Sequence, residues 1–198
     1  MDLRKLTIPF FAILLLGLGN IQSGKEKAET CIACHGEDGN SVVSLWPSLA
    51  GQNTNYLKKQ LRLIQSGERP IPVMNGQLDG YDDQDLEDMA AYYASKKNKI
   101  GEASADLVEQ GFKLYYAGSL EKGIPACTAC HSPRGRGNSP AGHPLLSGQK
   151  TEYISKTLKD YRLGDRQDSE QSEIMVSIAY KLDDKEIEAL ASFINGLY

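Results

Sequence analysis

Apolar residues return at helical spacing in two stretches, Leu86, Met89, Ala90 and Tyr93 in one, Ile187, Leu190, Ala191 and Ile194 in the other. Residues three and four apart share a helix face, so each stretch predicts an amphipathic helix with one buried side. Each opens on an acidic pair, Asp82-Asp83 or Asp183-Asp184. Their carboxylates can accept bonds from free backbone N–H groups and suit the positive end of a helix. These acids are therefore read as structural, and the wider run Asp79, Asp82, Asp83, Asp85, Glu87 and Asp88 as a solvated helix face. Further helices are expected from near Tyr56, from near Tyr153, and over Leu107, Phe112, Leu114 and Tyr115. Strands have no foothold in this pattern, and the expected fold class is all-α.

The pattern occurs twice. Trp46-Pro47-Ser48-Leu49-Ala50-Gly51-Gln52 matches His143-Pro144-Leu145-Leu146-Ser147-Gly148-Gln149, and Ser66-Gly67-Glu68-Arg69 matches Leu163-Gly164-Asp165-Arg166. Met74 and Met175 follow, each eight residues before the matching aspartate, Asp82 or Asp183. The stretch between glycine and methionine is longer in the second half, which predicts a longer loop there. An internal repeat of this length predicts a tandem of two small domains. Their expected limits are residues 24–98 and 101–198, joined by the polar run Lys96-Lys97-Asn98-Lys99-Ile100-Gly101.

All four cysteines belong to two copies of Cys-x-x-Cys-His: Cys31, Cys34 and His35, then Cys127, Cys130 and His131. Two thiols that add across haem vinyl groups and an adjacent histidine that supplies an axial nitrogen make this the signature of covalent haem c attachment. Disulfides, a zinc ribbon or a thioredoxin-like site also use such cysteine pairs, but none needs the trailing histidine. The chain has only three histidines, and His143 occupies the slot of Trp46, which favours a packing role for it. Two covalently bound haem c groups are expected. A methionine thioether opposite histidine completes six-coordinate iron and raises its potential, so Met74 and Met175 are the expected distal ligands. Met89 competes with Met74, but it aligns with Leu190 inside the terminal helix and is read as core.

Ahead of the repeat, Arg4 and Lys5 precede an apolar run from Leu6 to Leu18, 13 residues long. That is shorter than the roughly 20 residues a membrane span requires and reads as a signal peptide over residues 1–23, implying export to a bacterial periplasm. A formal charge of −4 gives no case for nucleic acid. Glu37 and Asp38 follow the first motif and Arg134 and Arg136 the second, a contrast that favours reduction of the second haem.

The order of these motifs, duplicated behind a signal peptide, resembles the cytochrome c4 family over about residues 24–198. The resemblance implies two class I cytochrome c domains about a pseudo-twofold axis, with axial pairs His35 with Met74 and His131 with Met175. It implies that the carbonyls of Pro47 and Pro144 accept a bond from the axial histidines. It also implies an electron carrier of a respiratory chain, working between a donor complex and a terminal oxidase, either soluble or peripherally membrane-associated. A dedicated dihaem subunit of a dehydrogenase is the alternative, and a dihaem peroxidase with an open iron the enzymatic one. The paired methionines argue for an electron-transfer protein over an enzyme.

Overall fold

The computed structural model describes residues 19–198, so most of the expected signal peptide, including its apolar run, lies outside the described residues. Nine α-helices are found among them: α1 Ile21–Lys27, α2 Ile32–His35, α3 Thr54–Gln65, α4 Asp83–Ala94, α5 Val108–Ala117, α6 Thr128–His131, α7 Thr151–Leu163, α8 Glu170–Ala179 and α9 Asp184–Asn195. The only strand-like pairings among these residues are two isolated antiparallel bridges, Ser119 with Ile124 and Asn138 with His143.

The terminal helices begin where the acidic pairs lie. Asp82 accepts from the backbone N–H groups of Gln84 and Asp85 while the Asp85 carboxylate accepts from the N–H of Asp82. Asp183 and Glu186 form the same reciprocal box at the start of α9. Their apolar faces build two cores. Leu86, Met89, Ala90 and Tyr93 pack with Ala28, Leu57 and Leu78 in domain 1. Ile187, Leu190, Ala191 and Ile194 pack with Leu114, Tyr115, Ile154 and Leu158 in domain 2. Phe112 is instead exposed at 53% and stacks on Tyr116, because α5 turns Leu114 and Tyr115 inward.

In each domain the first helix crosses the terminal one, α1 on α4 and α5 on α9, at a glycine. A Cβ on Gly24 would lie 2.0 Å from the Asp88 carbonyl oxygen, and one on Gly111 would lie 2.4 Å from that of Ala189. Backbone oxygen cannot step aside as a side chain can. Gly111→Ala should therefore destabilise domain 2 by about 1–3 kcal/mol, the cost of overpacking, even though alanine is the better helix former. Denaturant unfolding of the holoprotein measures it, and an unchanged midpoint would show that α5 and α9 can separate freely.

Two sequence expectations change here. Met175 lies within α8, a ten-residue helix capped by Ser169 and Ser172, where a longer loop was expected. Met74 sits in a 3₁₀ turn, Pro72–Met74. The local reason is the reciprocal Ser169–Ser172 cap, for which the shorter segment of domain 1 has no room. Also, α1 starts at Ile21 with Asn20 as its cap, and the Asn20 N–H donates to Asp88 Oδ1 at 2.8 Å. The folded body thus includes residues ahead of position 24.

The connector is tied to both domains. Asn40 accepts from the N–H of Lys99 at 2.7 Å and donates to Lys97 O at 3.0 Å, while Asn98 donates to Ser147 O at 2.9 Å. Direct contacts repeat across the interface in reciprocal form, the mark of a pseudo-twofold axis. Gln52 bonds Leu145 and Gln149 bonds Ser48, while Arg69 bonds Tyr153 and Arg166 bonds Tyr56.

Candidate haem sites

The short helices α2 and α6, together with the cysteine that precedes each, Cys31 or Cys127, put two cysteines and a histidine on one turn, with the cysteines three residues apart and so on the same face. Cys31, Cys34, His35, Cys127, Cys130 and His131 all line one continuous, largely apolar cavity of about 610 Å3 that runs through both domains. None of the four cysteines is in a disulfide. Burial pushes the Cys31 thiol up and the Cys127 thiol up to about 11, as expected for neutral groups facing an apolar space.

Both histidines are 8% exposed, and burial holds each below the ordinary imidazole value against the opposing pull of a backbone hydrogen bond. Nδ1 of His35 lies 2.9 Å from the carbonyl oxygen of Pro47, and Nδ1 of His131 lies 3.1 Å from that of Pro144. A carbonyl only accepts, so each Nδ1 carries the proton and each Nε2 keeps a bare lone pair suited to a metal. Pro47 and Pro144 border the same cavity.

Met74 and Met175 line the cavity as partly buried residues packed against the two cores. Met89 also borders it, but at 1% exposure and within the apolar face of α4. Its repeat partner Leu190 forms the same wall in domain 2. His143 takes part in the Asn138 bridge, and its carbonyl accepts from Asn53 of domain 1 at 2.7 Å.

A polar cluster at the domain boundary escaped the motif reading. Arg166, 6% exposed, donates to the Tyr56 hydroxyl at 2.9 Å and to Gln60 Oε1 at 3.1 Å. Arg69 donates to the same Gln60 oxygen at 2.5 Å and to the Tyr153 hydroxyl at 3.3 Å. Asp168 Oδ2 stands 3.6 Å from Arg166 and 4.0 Å from Arg69. Although burial alone would raise the Tyr153 phenol, the two guanidiniums hold it below its usual value. Arg166 Nε and Asp168 Oδ2 are buried without a hydrogen-bond partner among the described residues. Two cations against one carboxylate leave a buried positive excess at the edge of an apolar cavity, which is costly unless an anion offsets it.

The residues present therefore fit haem c: apolar walls for the ring, paired thiols for attachment, a bare imidazole nitrogen and a thioether for iron, and two guanidiniums sharing one carboxylate, with charge to spare for the haem's carboxylates. The signal in the sequence was the duplication of Tyr56/Tyr153 and Arg69/Arg166, but their pairing across the domains is visible only in three dimensions. The charge contrast beyond the motifs is weaker than the sequence suggested. Lys99 of the connector pairs with Asp38 at 2.8 Å and, with a backbone bond, holds its carboxyl at about 2.

A helical tandem with two such sites is a two-domain c-type cytochrome. The cytochrome c family model matches residues 21–97 and again 108–197. Cytochrome c4 of Azotobacter vinelandii is 47% identical over 189 residues, covering 91% of this chain and 90% of that protein. The crystal structure of reduced recombinant cytochrome c4 from Pseudomonas stutzeri superposes with a TM-score of 0.89 at 46% identity, covering 91% of this chain and 100% of that one. The chain belongs to the cytochrome c4 family, and it is a dihaem electron carrier with haem c bound covalently. It is more distantly similar to the thiosulfate dehydrogenase electron acceptor of Stutzerimonas stutzeri, at 33% identity over 84% of this chain and 78% of that protein.

Proposed function

We propose that this protein carries electrons through a periplasmic respiratory chain towards a terminal oxidase, one electron per haem, with His35 and Met74 on one iron and His131 and Met175 on the other. The carrying observation is that both Cys-x-x-Cys-His turns open into one cavity crossing the domain boundary, which brings the two sites together inside one protein body. Bound haem supplies the reversible ferric–ferrous couple. The chain's residues do the rest. Burial excludes water from the imidazoles, the Pro47 and Pro144 carbonyls fix the ring tautomer, and Arg69 and Arg166 receive negative charge at the boundary. With a histidine and a methionine on each iron no position remains for a substrate, so the reading is of a carrier and not a peroxidase.

Mixing the reduced holoprotein with oxidase-containing membranes tests the proposal. The expected result is rapid oxidation of both haems that cyanide blocks at the oxidase. No oxidation by such membranes, together with fast reduction by one co-purifying dehydrogenase, would replace it with the second reading, an acceptor dedicated to that enzyme. The likeness to the thiosulfate dehydrogenase electron acceptor is what keeps that reading in view. Among the described residues no helix is long and apolar enough to cross a membrane.

Export by an amino-terminal signal peptide is part of the same proposal, with its end moved from residue 23 to no later than Gly19. Asn20 caps α1 and bonds Asp88, so cleavage at or ahead of Asn20 preserves the α1–α4 contact, whereas cleavage after Ser23 removes its first turn. Amino-terminal sequencing of periplasmic protein should find a start no later than Asn20. A start at Gly24 would show that the turn is dispensable.

A further inference from the structure

Gln52 and Gln149 close the repeated proline segment, yet each makes its bonds in the other domain. Gln149 is buried, with Oε1 accepting from the Ser48 N–H at 2.9 Å and Nε2 donating to Ser48 O at 2.9 Å. Gln52, also buried, mirrors it, with Oε1 accepting from the Leu145 N–H at 2.7 Å and Nε2 donating to Leu145 O at 2.9 Å. The Ser48 N–H belongs to the same peptide unit as the Pro47 carbonyl, and the Leu145 N–H to that of the Pro144 carbonyl. Those two carbonyls are the partners of His35 and His131.

A peptide unit is a planar, resonance-linked group. A bond accepted from its N–H moves electron density towards its oxygen and strengthens the bond that oxygen accepts, the cooperativity of linked hydrogen bonds. We propose that each glutamine is a positioning residue for the axial histidine of the opposite domain: Gln149 sets the donor strength of His35, and Gln52 that of His131. The inference rests on the proposed histidine ligation. The order is Gln149 Oε1, Ser48 N–H, Pro47 C=O, His35 Nδ1–H, and its pseudo-twofold copy. A stronger bond at Nδ1 makes the imidazole a better electron donor and favours ferric iron. The glutamine thus lowers the potential of the haem it does not share a domain with.

An NMR-resolved redox titration of the holoprotein, following the methionine methyl signal of each haem, tests this in Gln149→Leu and Gln52→Leu. In Gln149→Leu the ratio of reduced to oxidised haem 1 at fixed potential should rise about threefold to tenfold, less than the tenfold to hundredfold that losing a direct second partner costs a metal site. Tenfold is 59 mV for one electron. Haem 2 should stay in place, the His35 Nδ1–H resonance should move upfield, and Gln52→Leu should give the mirror pattern. Gln149→Glu keeps an acceptor oxygen for the Ser48 N–H and, protonated against the Ser48 carbonyl, replaces the amide donor, so it should leave haem 1 and the His35 proton close to their original positions; it also serves if the leucine variant does not mature. Shifts confined to the glutamine's own domain, equal shifts of both haems, or an unmoved Nδ1–H line would overturn the inference. The methionine methyl signals separate the two failures. If they lack the upfield position of an iron-bound thioether, the ligation reading fails; if they hold it without a cross-domain shift, only this inference does.

Discussion

Met74→Ala should remove about half of the weak far-red band that ferric thioether ligation gives, leaving the other half to domain 2, since in the proposed ligation each domain supplies its own methionine. Met175→Ala should remove the complementary half, and the double variant all of it. In each single variant the altered haem should fall in potential, because a thioether raises it, and should bind cyanide quickly at the vacated position. Met74 is suited to this role by its place in a partly buried turn on the cavity. Met89→Ala is the control. That residue is 1% exposed in the α4 core, so its loss should cost about 2–5 kcal/mol of stability while the band stays whole. A full band in Met74→Ala with loss in Met89→Ala would reverse the assignment.

The second large effect is expected from Cys31→Ser/Cys34→Ser. With every cysteine committed to one of the two motifs, no thiol remains in domain 1 for attachment, and a pyridine haemochrome assay should count one haem per chain. Domain 1 should then fail as a folded unit. Without the prosthetic group the apolar walls of its half of the cavity would face water, and in so small a unit buried apolar area is the main stabilising contribution. Limited proteolysis should cut the variant within residues 20–95 while domain 2 keeps its haem. Two thioether-linked haems in this variant, by mass, would exclude the attachment scheme. A one-haem protein with a protease-resistant domain 1 would show that its core stands without the prosthetic group.

The acid-opened terminal helices were legible because capping and helical spacing are local. Asp82 reaches Gln84 and Asp85 within a single turn, so nothing distant had to be known. The α8 helix was missed for the opposite reason. Glu170–Ala179 carries exposed Ile174 beside buried Ala179, and its apolar face is set by the cavity it covers more than by a repeating stripe. The Arg166 cluster was equally hidden, since its partners Tyr56 and Gln60 lie more than a hundred residues away.

The sequence by itself determined the chemistry: two Cys-x-x-Cys-His turns, a methionine in each half, the duplication, and the all-α class. These are set by short-range spacing, which a chain carries whatever its neighbours do. Only the tertiary structure decided how the halves meet. Gln149 lies on Ser48 and Gln52 on Leu145, Arg69 and Arg166 exchange tyrosines, and the connector is pinned through Asn40 and Ser147. Such pairings join residues 49 to 110 positions apart. No local periodicity encodes them, because their partners become neighbours only after each domain has buried its own apolar face and left the proline segments to face one another.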